Sequence, residues 1–399
     1  MGKNTNFTGQ PLYAQIIKLI DKSNVQRISL KGGHERYVKK FDGWTHLVVF
    51  LFAVLKHYDS LREMVIGLMS EANKLHHLGI SYVARRSTLS EANNRRSSSF
   101  FESIYYSLYR KYKSSLTDSI HNYAWERCLH IMDSTTITLF SDILKGAGRN
   151  PRHGKKKGGI KAHTVMKYDE AVPYLVRYTS AATHDHFMLK ILQLPKGSFL
   201  AIDRAYIDYA KFEEMTRNGV FYVTKMKRNL TFRTQRSHYT VNAEGLVVCH
   251  EAIVEFVKDE IRHKSRKIEW WDAEKKKSVT LLTNNFELPA EEIVEIYRRR
   301  WEIELIFKQL KQNFPLKYFY GDSVNAIKSQ IWVTLIANLL ISVVKHNVKR
   351  SWSFSNLTAM INQMLMYYID LYRYLENPER ECEKFMHMSE RSPNQLSLF

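Results

Sequence analysis

The chain has 399 residues, 44% of them hydrophobic, which supports one large core or two to three smaller domains and excludes a disordered chain. Lys and Arg outnumber Asp and Glu by 60 to 40, a formal charge of +20, so a polyanionic partner is expected, nucleic acid first and an anionic membrane surface second. The polar start MGKNTNFTGQ lacks a secretory h-region, the longest apolar run (331–344) is short for a bilayer and carries Asn338, and Cys128, Cys249 and Cys382 form no CxxC pair; the expectation is a cytoplasmic protein with reduced thiols, no membrane span and no zinc ribbon.

Residues 1–125 read as helical. Apolar residues recur at helical spacing over 44–58 and 60–75, with a break at 77–79. Ser87 reads as the N-cap of a short polar helix ending near Asn93, Asn94, Arg95 and Arg96, and an amphipathic helix follows from 100 to about 113. A helix, a short turn and a polar helix form the layout of a helix-turn-helix, in which Arg95 and Arg96 would meet DNA. The plainer reading is a helical bundle with a solvated basic face.

From about Arg127 the pattern changes to period two and short apolar runs. CLHIMDSTTITLF, GIKAHTVMKY and VPYLVRYTSA read as strands, HDHFMLKILQL as a helix, and SFLAID as a buried strand. DYAKFEEMTRNG reads as a helix with Gly219 at its C-cap, and VFYVTKMK as a further strand. The order β-β-β-α-β-α-β predicts an α/β fold, a mixed sheet with helices on its faces. Residues 228–285 are strand-rich and polar and look like an inserted β-subdomain. Pro289 opens a long helix through about Asn313. The chain is then helical to about Leu375, and its polar tail is expected to fray.

Two carboxylates sit at predicted strand ends, Asp133 after CLHIM and Asp203 after SFLAI. Two such acids on neighbouring buried strands repel unless a cation lies between them, and hard oxygen ligands suit Mg²⁺ or Mn²⁺. A cap or an ion pair, for example with the adjacent Arg204, explains each acid equally well on position alone. The 289–313 helix adds Tyr297, Arg300, Glu304 and Lys311. At about 100° per residue these four fall within an arc of roughly 60°, at the edge of the apolar face made by Ile296, Ile303, Ile306, Phe307 and Leu310. A solvated charge stripe is the ordinary reading of such a run. An aromatic, two cations and an acid at the core edge argue instead for a site: the carboxylate completes a metal centre, and Arg, Lys and Tyr hold phosphates.

IMDSTTI, AIDRAYID and IYRRRWEIELIFKQLK resemble the three blocks of the DDE transposases of bacterial insertion sequences. The spacing Tyr297-x2-Arg300-x3-Glu304-x6-Lys311 resembles the YREK signature of the fourth insertion-sequence family. The resemblance runs over about residues 10–375, including SLREM…HHLGISYVARRSTLSEANNRR. It implies a ribonuclease-H-like catalytic domain over 126–320 with a β-rich insertion at 228–285, a helical DNA-binding region over 1–125, and a helical C-terminal region over 321–399 that supports dimerisation. It implies cut-and-paste transposition, with Asp133, Asp203 and Glu304 holding two metal ions, Mg²⁺ or Mn²⁺. Arg300, Tyr297 and Lys311 would grip phosphates, and Trp301 would stack on a flipped base, a role also open to Trp270 or Trp271. The implied partners are double-stranded DNA, as transposon ends and as target, and a second copy of the chain when DNA is bound. The place of action is the nucleoid. A nuclease without strand transfer and a non-catalytic DNA-binding regulator are the competing classes.

Between Asp142 and Asp169 the chain has no acid and carries Lys145, Arg149, Arg152, Lys155, Lys156, Lys157, Lys161 and Lys167. Lys155, Lys156 and Lys157 lie in GRNPRHGKKKGG, which reads as a basic loop tracking phosphate, or as a solvated charge run; it lacks the Walker pattern. His184 and Asp185 read as a helix cap rather than a metal pair, and His163 as a residue behind Asp133.

Overall fold

A computed structural model describes residues 9–36, 38–117, 121–138, 159–170, 172–180, 186–258, 260–272 and 276–390. The chain divides into two compact units, Met1–Ser115 with Gln309–Phe399, and Leu116–Lys308.

The first unit opens with α1 (Leu12–Ile17), α2 (Lys22–Lys31), α3 (Gly43–Leu55), α4 (Leu61–Ser70), α5 (Arg86–Arg95) and α6 (Ser99–Leu116). Asp21 caps α2 by accepting from the amides of Ser23 and Asn24, and Asp42 caps α3 by accepting from Thr45 at 2.8 Å. α3 is apolar all round, GWTHLVVFLFAVL, and every one of its residues is buried, as such a helix requires. The break near 77–79 is a short 3₁₀ stretch, Ala72–Leu78, ended by Gly79 at φ +71°. α5 begins at Arg86 rather than after a Ser87 cap: Arg85 holds the cap position without a side-chain bond, because burial of Ala84, Leu89 and Ala92 sets where the helix lies.

Among the described residues the second unit is built on one nine-stranded sheet. Its elements in chain order are β1 (Leu129–Thr138), β2 (Gly159–Lys167), β3 (Pro173–Ser180), α7 (His186–Ile191), β4 (Phe199–Ile202), α8 (Tyr209–Arg217) and β5 (Phe221–Lys225). Then follow β6 (Arg233–Val241), β7 (Val247–Lys258), β8 (Ile261–Asp272), β9 (Lys277–Thr283), α9 (Ala290–Arg299) and α10 (Glu302–Asn313). The strand order is β3-β2-β1-β4-β5-β9-β8-β7-β6. β1 runs antiparallel to β2 and parallel to β4, β4 runs parallel to β5, and the last five strands are antiparallel throughout. The strand-rich segment 228–285, read as an inserted β-subdomain, pairs into this same sheet through β9 on β5. Ala252, Val254, Phe256 and Leu282 from it share one buried cluster with Met132, Leu200, Ile202, Phe212 and Tyr222. A sheet face that buries its apolar side in a common core has no reason to separate.

The helix expected over 289–313 is two helices. At Arg300 and Trp301 the amides bond back three residues, to Tyr297 O and Arg298 O at 3.2 Å, which tightens the turn between α9 and α10. α10 stops two residues before Pro315, whose ring cannot continue it. The chain then returns to the first unit as α11 (Val324–Asn347), α12 (Phe354–Met364), α13 (Leu371–Glu376) and α14 (Pro378–Glu390). N- and C-terminal helices therefore share one unit, and α3 packs on α11 within it. α11 is long and apolar enough to cross a bilayer, yet 89% of its apolar window is buried among the other helices, with Trp332 against Tyr105 and Tyr106. The polar tail expected to fray lies outside the described residues.

Candidate active site

β1 and β4 pair in parallel with Met132 opposite Ile202, so Asp133 and Asp203 are each the next residue along. Met132 and Ile202 point into the buried cluster; alternation then turns Asp133 and Asp203 to the other face. Asp203 ends its strand, as expected, and its Oδ1 caps a 3₁₀ turn by accepting from Ala205 N at 2.9 Å. Asp133 does not end its strand: it is the fifth residue of a ten-residue β1, which runs on beside β2 beyond the end of β4.

Arg300 connects the carboxylates. Its Nη1 donates to Asp133 Oδ2 at 3.3 Å and its Nη2 to Glu304 Oε1 at 2.8 Å. The residue is 5% exposed. Its guanidinium lies 5.7 Å from the ring centroid of Tyr297 and 5.1 Å from that of Trp301, close enough for both rings to stabilise the cation. Burial lowers its pKa, but Tyr297 and the two carboxylates outweigh that, and the net shift is upward. Burial likewise lifts Asp133 from 3.8 to about 6; the Ser134 amide and Arg300 pull it down, while Glu304 and Asp203 push it up. Tyr297 is raised by burial, with Arg300 lowering and Asp203 raising it.

Among the described residues, Arg300 is the cation bonded to Asp133 and Glu304. Among the described residues no three Asp, Glu, His or Cys side chains converge closely enough to hold an ion. The donor set nonetheless fits one by chemistry: hard carboxylate oxygens, one of them held above its ordinary pKa chiefly by burial, a cost that nearby positive charge offsets. In this structure the Arg300 guanidinium supplies that charge between Asp133 and Glu304.

The other expected residues separate. Glu302, two before Glu304, faces away toward Tyr168, whose acidity it lowers. Trp301 is 57% exposed beside the site. Lys311 lies seven residues beyond Glu304 on α10, in the part of that helix that belongs to the helical unit. Trp271 is 46% exposed on β8 and Trp270 half-buried; neither joins the core cluster. His163 is not behind Asp133: it pairs with Ser134, shares the Met132 face, and meets Thr179 Oγ1 at 2.8 Å. Arg95 is exposed on α5. Arg96 is a correction: it is 4% exposed, with Nη1 on His46 Nδ1 at 2.8 Å, so it does not present a charge to DNA. Lys155, Lys156, Lys157, His184 and Asp185 lie outside the described residues. One cation, named above only as a possible ion-pair partner of Asp203, stands elsewhere. Arg204, directly after Asp203, is exposed, makes no ion pair with a described residue, and acts on Tyr297. Its place one residue past a strand-end acid was the available signal.

Residues 124–340 match the family model described as the transposase DDE domain, and residues 8–81 match a domain of unknown function. A Sinorhizobium fredii protein named as a transposase, y4zB, is 28% identical over 222 residues, 54% of this chain and 60% of that protein. A Geobacillus stearothermophilus protein named for insertion sequence element IS5377 is 25% identical over 229 residues, 57% of this chain and 59% of its own. A Synechocystis protein named for element IS4SA is 22% identical over 264 residues, 65% of this chain and 71% of its own. The match thus spans about three fifths of the length of the first two relatives. Among solved structures, a piggyBac transposase synaptic complex with hairpin DNA overlays 98% of this chain and 85% of its own at 12% identity, with a TM-score of 0.41.

Proposed function

Because the chain belongs to the DDE transposase family, we propose that it cuts the ends of an insertion sequence and joins them to target DNA. The observation that carries the reading is the placement of Asp133 and Asp203 one register step past paired residues on adjacent strands, with Glu304 tied to Asp133 through Arg300. The strand order β3-β2-β1-β4-β5, with β1 parallel to β4 and antiparallel to β2, supports a ribonuclease-H-like catalytic core. The signature spacing and the IS4SA relative support placement in the fourth insertion-sequence family.

Family members depend in general on a divalent cation. The proposed ligands are Asp133, Asp203 and Glu304, holding two Mg²⁺ or Mn²⁺ ions, which when bound activate the attacking oxygen and stabilise the leaving one. With those carboxylates engaged by cations, Arg300, which bonds Asp133 and Glu304 here, would be free to meet the scissile phosphate, where its planar fork could bind two oxygens. Tyr297, Lys311 and the loop lysines Lys155, Lys156 and Lys157 extend that grip, and Trp301 offers an open ring for an unstacked base. The substrates are double-stranded transposon ends and target DNA in the nucleoid. Two ends joined to one target require two active sites, so the DNA-bound form is a homodimer, with residues 355–374 among its contacts. The test is incubation with the element's own end DNA, a target plasmid and Mg²⁺, followed by mapping of the broken and joined strands. Joined products support transposition; cut ends that never join would identify a nuclease, and no cutting a binding protein.

A further inference from the structure

Arg298, Arg299 and Arg300 follow one another at the end of α9, and each reaches an acid from a different part of the unit. Arg298 Nη2 lies 3.4 Å from Asp272 Oδ2 at the end of β8, and Arg299 Nη2 lies 3.4 Å from Glu126 Oε1 on the 3₁₀ turn Ala124–Cys128. Arg300 Nη1 lies 3.3 Å from Asp133 Oδ2 on β1. Three successive free cations would make a phosphate-binding stripe. Here the C-terminal turn of the helix favours positive charge and the fold supplies each cation with an acid. Arg300 meets the carboxylates of the candidate site; the other two meet acids outside it.

The pair of Glu126 and Arg299 is the more enclosed of the outer two. Glu126 is 3% exposed. Its Oε2 accepts from the amides of Asn122 at 2.8 Å and Tyr123 at 3.4 Å, and its Oε1 accepts from Arg299. A carboxylate so far from water needs a cation beside it, and Arg299 reaches it. Glu295, four residues back on α9, holds the same guanidinium at 3.0 Å, and the ring centroid of Tyr168 lies 5.2 Å from it. A second tie runs beside the first: Trp125 Nε1 donates to Glu292 Oε2 at 2.9 Å. Trp125 and Glu126 stand just before β1, Glu292 is in the first turn of α9, and Arg299 is in its last. The strand that carries Asp133 and the helix that leads to Arg300 and Glu304 are thus joined outside the site as well as within it.

We propose that Glu126 and Arg299, backed by Trp125 and Glu292, position the α9–α10 junction against β1 and so set the separation of Asp133 and Glu304. Arg299 directly precedes the tightened turn at Arg300 and Trp301, so any swing of the end of α9 carries Arg300 and Glu304 with it. If Arg300 turns to a phosphate, its bonds to Asp133 and Glu304 no longer hold that turn; the bond from Arg299 to Glu126 still does. Arg299 is therefore a positioning residue and not a phosphate contact. The proposal rests on the transposase reading for the reaction that this geometry serves.

The experiment compares the full-length wild type with Arg299→Gln, Arg299→Lys and Trp125→Phe, with thermal melting to confirm folding. Amide exchange is first read by mass spectrometry over residues 296–304, without DNA or metal. Loss of the tie in Arg299→Gln should speed exchange there severalfold, and Arg299→Lys should restore part of the protection, because an ammonium can still pair with Glu126. Unchanged exchange at the junction, or an equal rise throughout the unit, would overturn the positioning role. On end DNA in Mg²⁺, Arg299→Gln should cut about tenfold more slowly at saturating DNA, with affinity and salt slope as in wild type. A salt slope smaller by about 0.9 would make Arg299 a phosphate contact and overturn the proposal, as would full-rate cutting by folded Arg299→Gln. Should Arg299→Gln not fold, Trp125→Phe, which keeps an aromatic ring and loses the bond to Glu292, is read in the same two ways: faster exchange at the junction with slower cutting supports the proposal, and neither change overturns it. A wild type that binds end DNA but never cuts it in Mg²⁺ removes the transposase reading; one that cuts no faster than Arg299→Gln removes only the positioning role.

Discussion

Arg300 and Glu304 are bonded across the junction of α9 and α10, Nη2 to Oε1 at 2.8 Å, and the same guanidinium reaches Asp133 at 3.3 Å. A side chain that occupies two carboxylates competes with any cation those carboxylates bind. Arg300→Gln should therefore bind Ca²⁺ or Mg²⁺ several-fold more tightly than wild type by calorimetry, while strand cutting falls about a hundredfold or more through loss of the phosphate contact. Arg300→Lys should not restore cutting, because a single ammonium cannot span both partners. Weaker cation binding by Arg300→Gln would contradict the competition.

Asp133 is held at about 6, above its ordinary 3.8, chiefly by burial. The sign follows: between those values the folded state keeps a proton that the unfolded chain has lost, so stability falls as pH rises toward 6 and the penalty is complete above it. At 18% side-chain exposure a shift of this size is worth about 2–3 kcal/mol. Asp133→Asn should melt higher than wild type at pH 7.5, with the gain shrinking as pH falls from 6 to 4. His46, pushed to about 3 by burial and Arg96, acts in the opposite sense below 6.5 in both proteins, so the difference between them isolates Asp133. A gain that grows toward acid pH would refute the assignment.

Arg96 is a fold residue. Arg96→Met strips Glu35 of a cation and His46 of a donor, and should cost about 2–4 kcal/mol in denaturant melts. Stability unchanged, with DNA affinity reduced, would return Arg96 to the DNA surface.

Much of the site was legible because its spacing is local. Short strands, apolar alternation and a Pro-opened helix put Asp203 just past a strand and Glu304 on a helix, where the structure has them. Arg96 was not, because a cation at the end of a polar helix reads as surface until Glu35 and His46, some 50 or more residues away, are known to meet it. The sheet extension was hidden for a similar reason: β9 pairs with β5 across a long meander, and no local pattern distinguishes a strand that joins a sheet from one that starts another. The break at Arg300 and Trp301 also escaped, since both keep helix-compatible sequence and only the bond from three residues back marks the tighter turn.

Glu302 and Glu304 are two residues apart and point differently: Glu304 bonds Arg300, whereas Glu302 acts on Tyr168. Glu304→Gln should abolish most strand cutting. Glu302→Gln should keep it and change stability by about 0–1 kcal/mol. A folded but inactive Glu302→Gln beside an active Glu304→Gln would reverse the assignment.

The central claim, three carboxylates that cut DNA through bound cations, is tested most directly by cleavage of end DNA with wild type and Asp203→Asn, each in Mg²⁺ and in a chelator, with end binding measured alongside. The account predicts cutting by wild type in Mg²⁺ alone, and none by Asp203→Asn, which still binds the ends. Undiminished cutting in the chelator, or by Asp203→Asn, would contradict it.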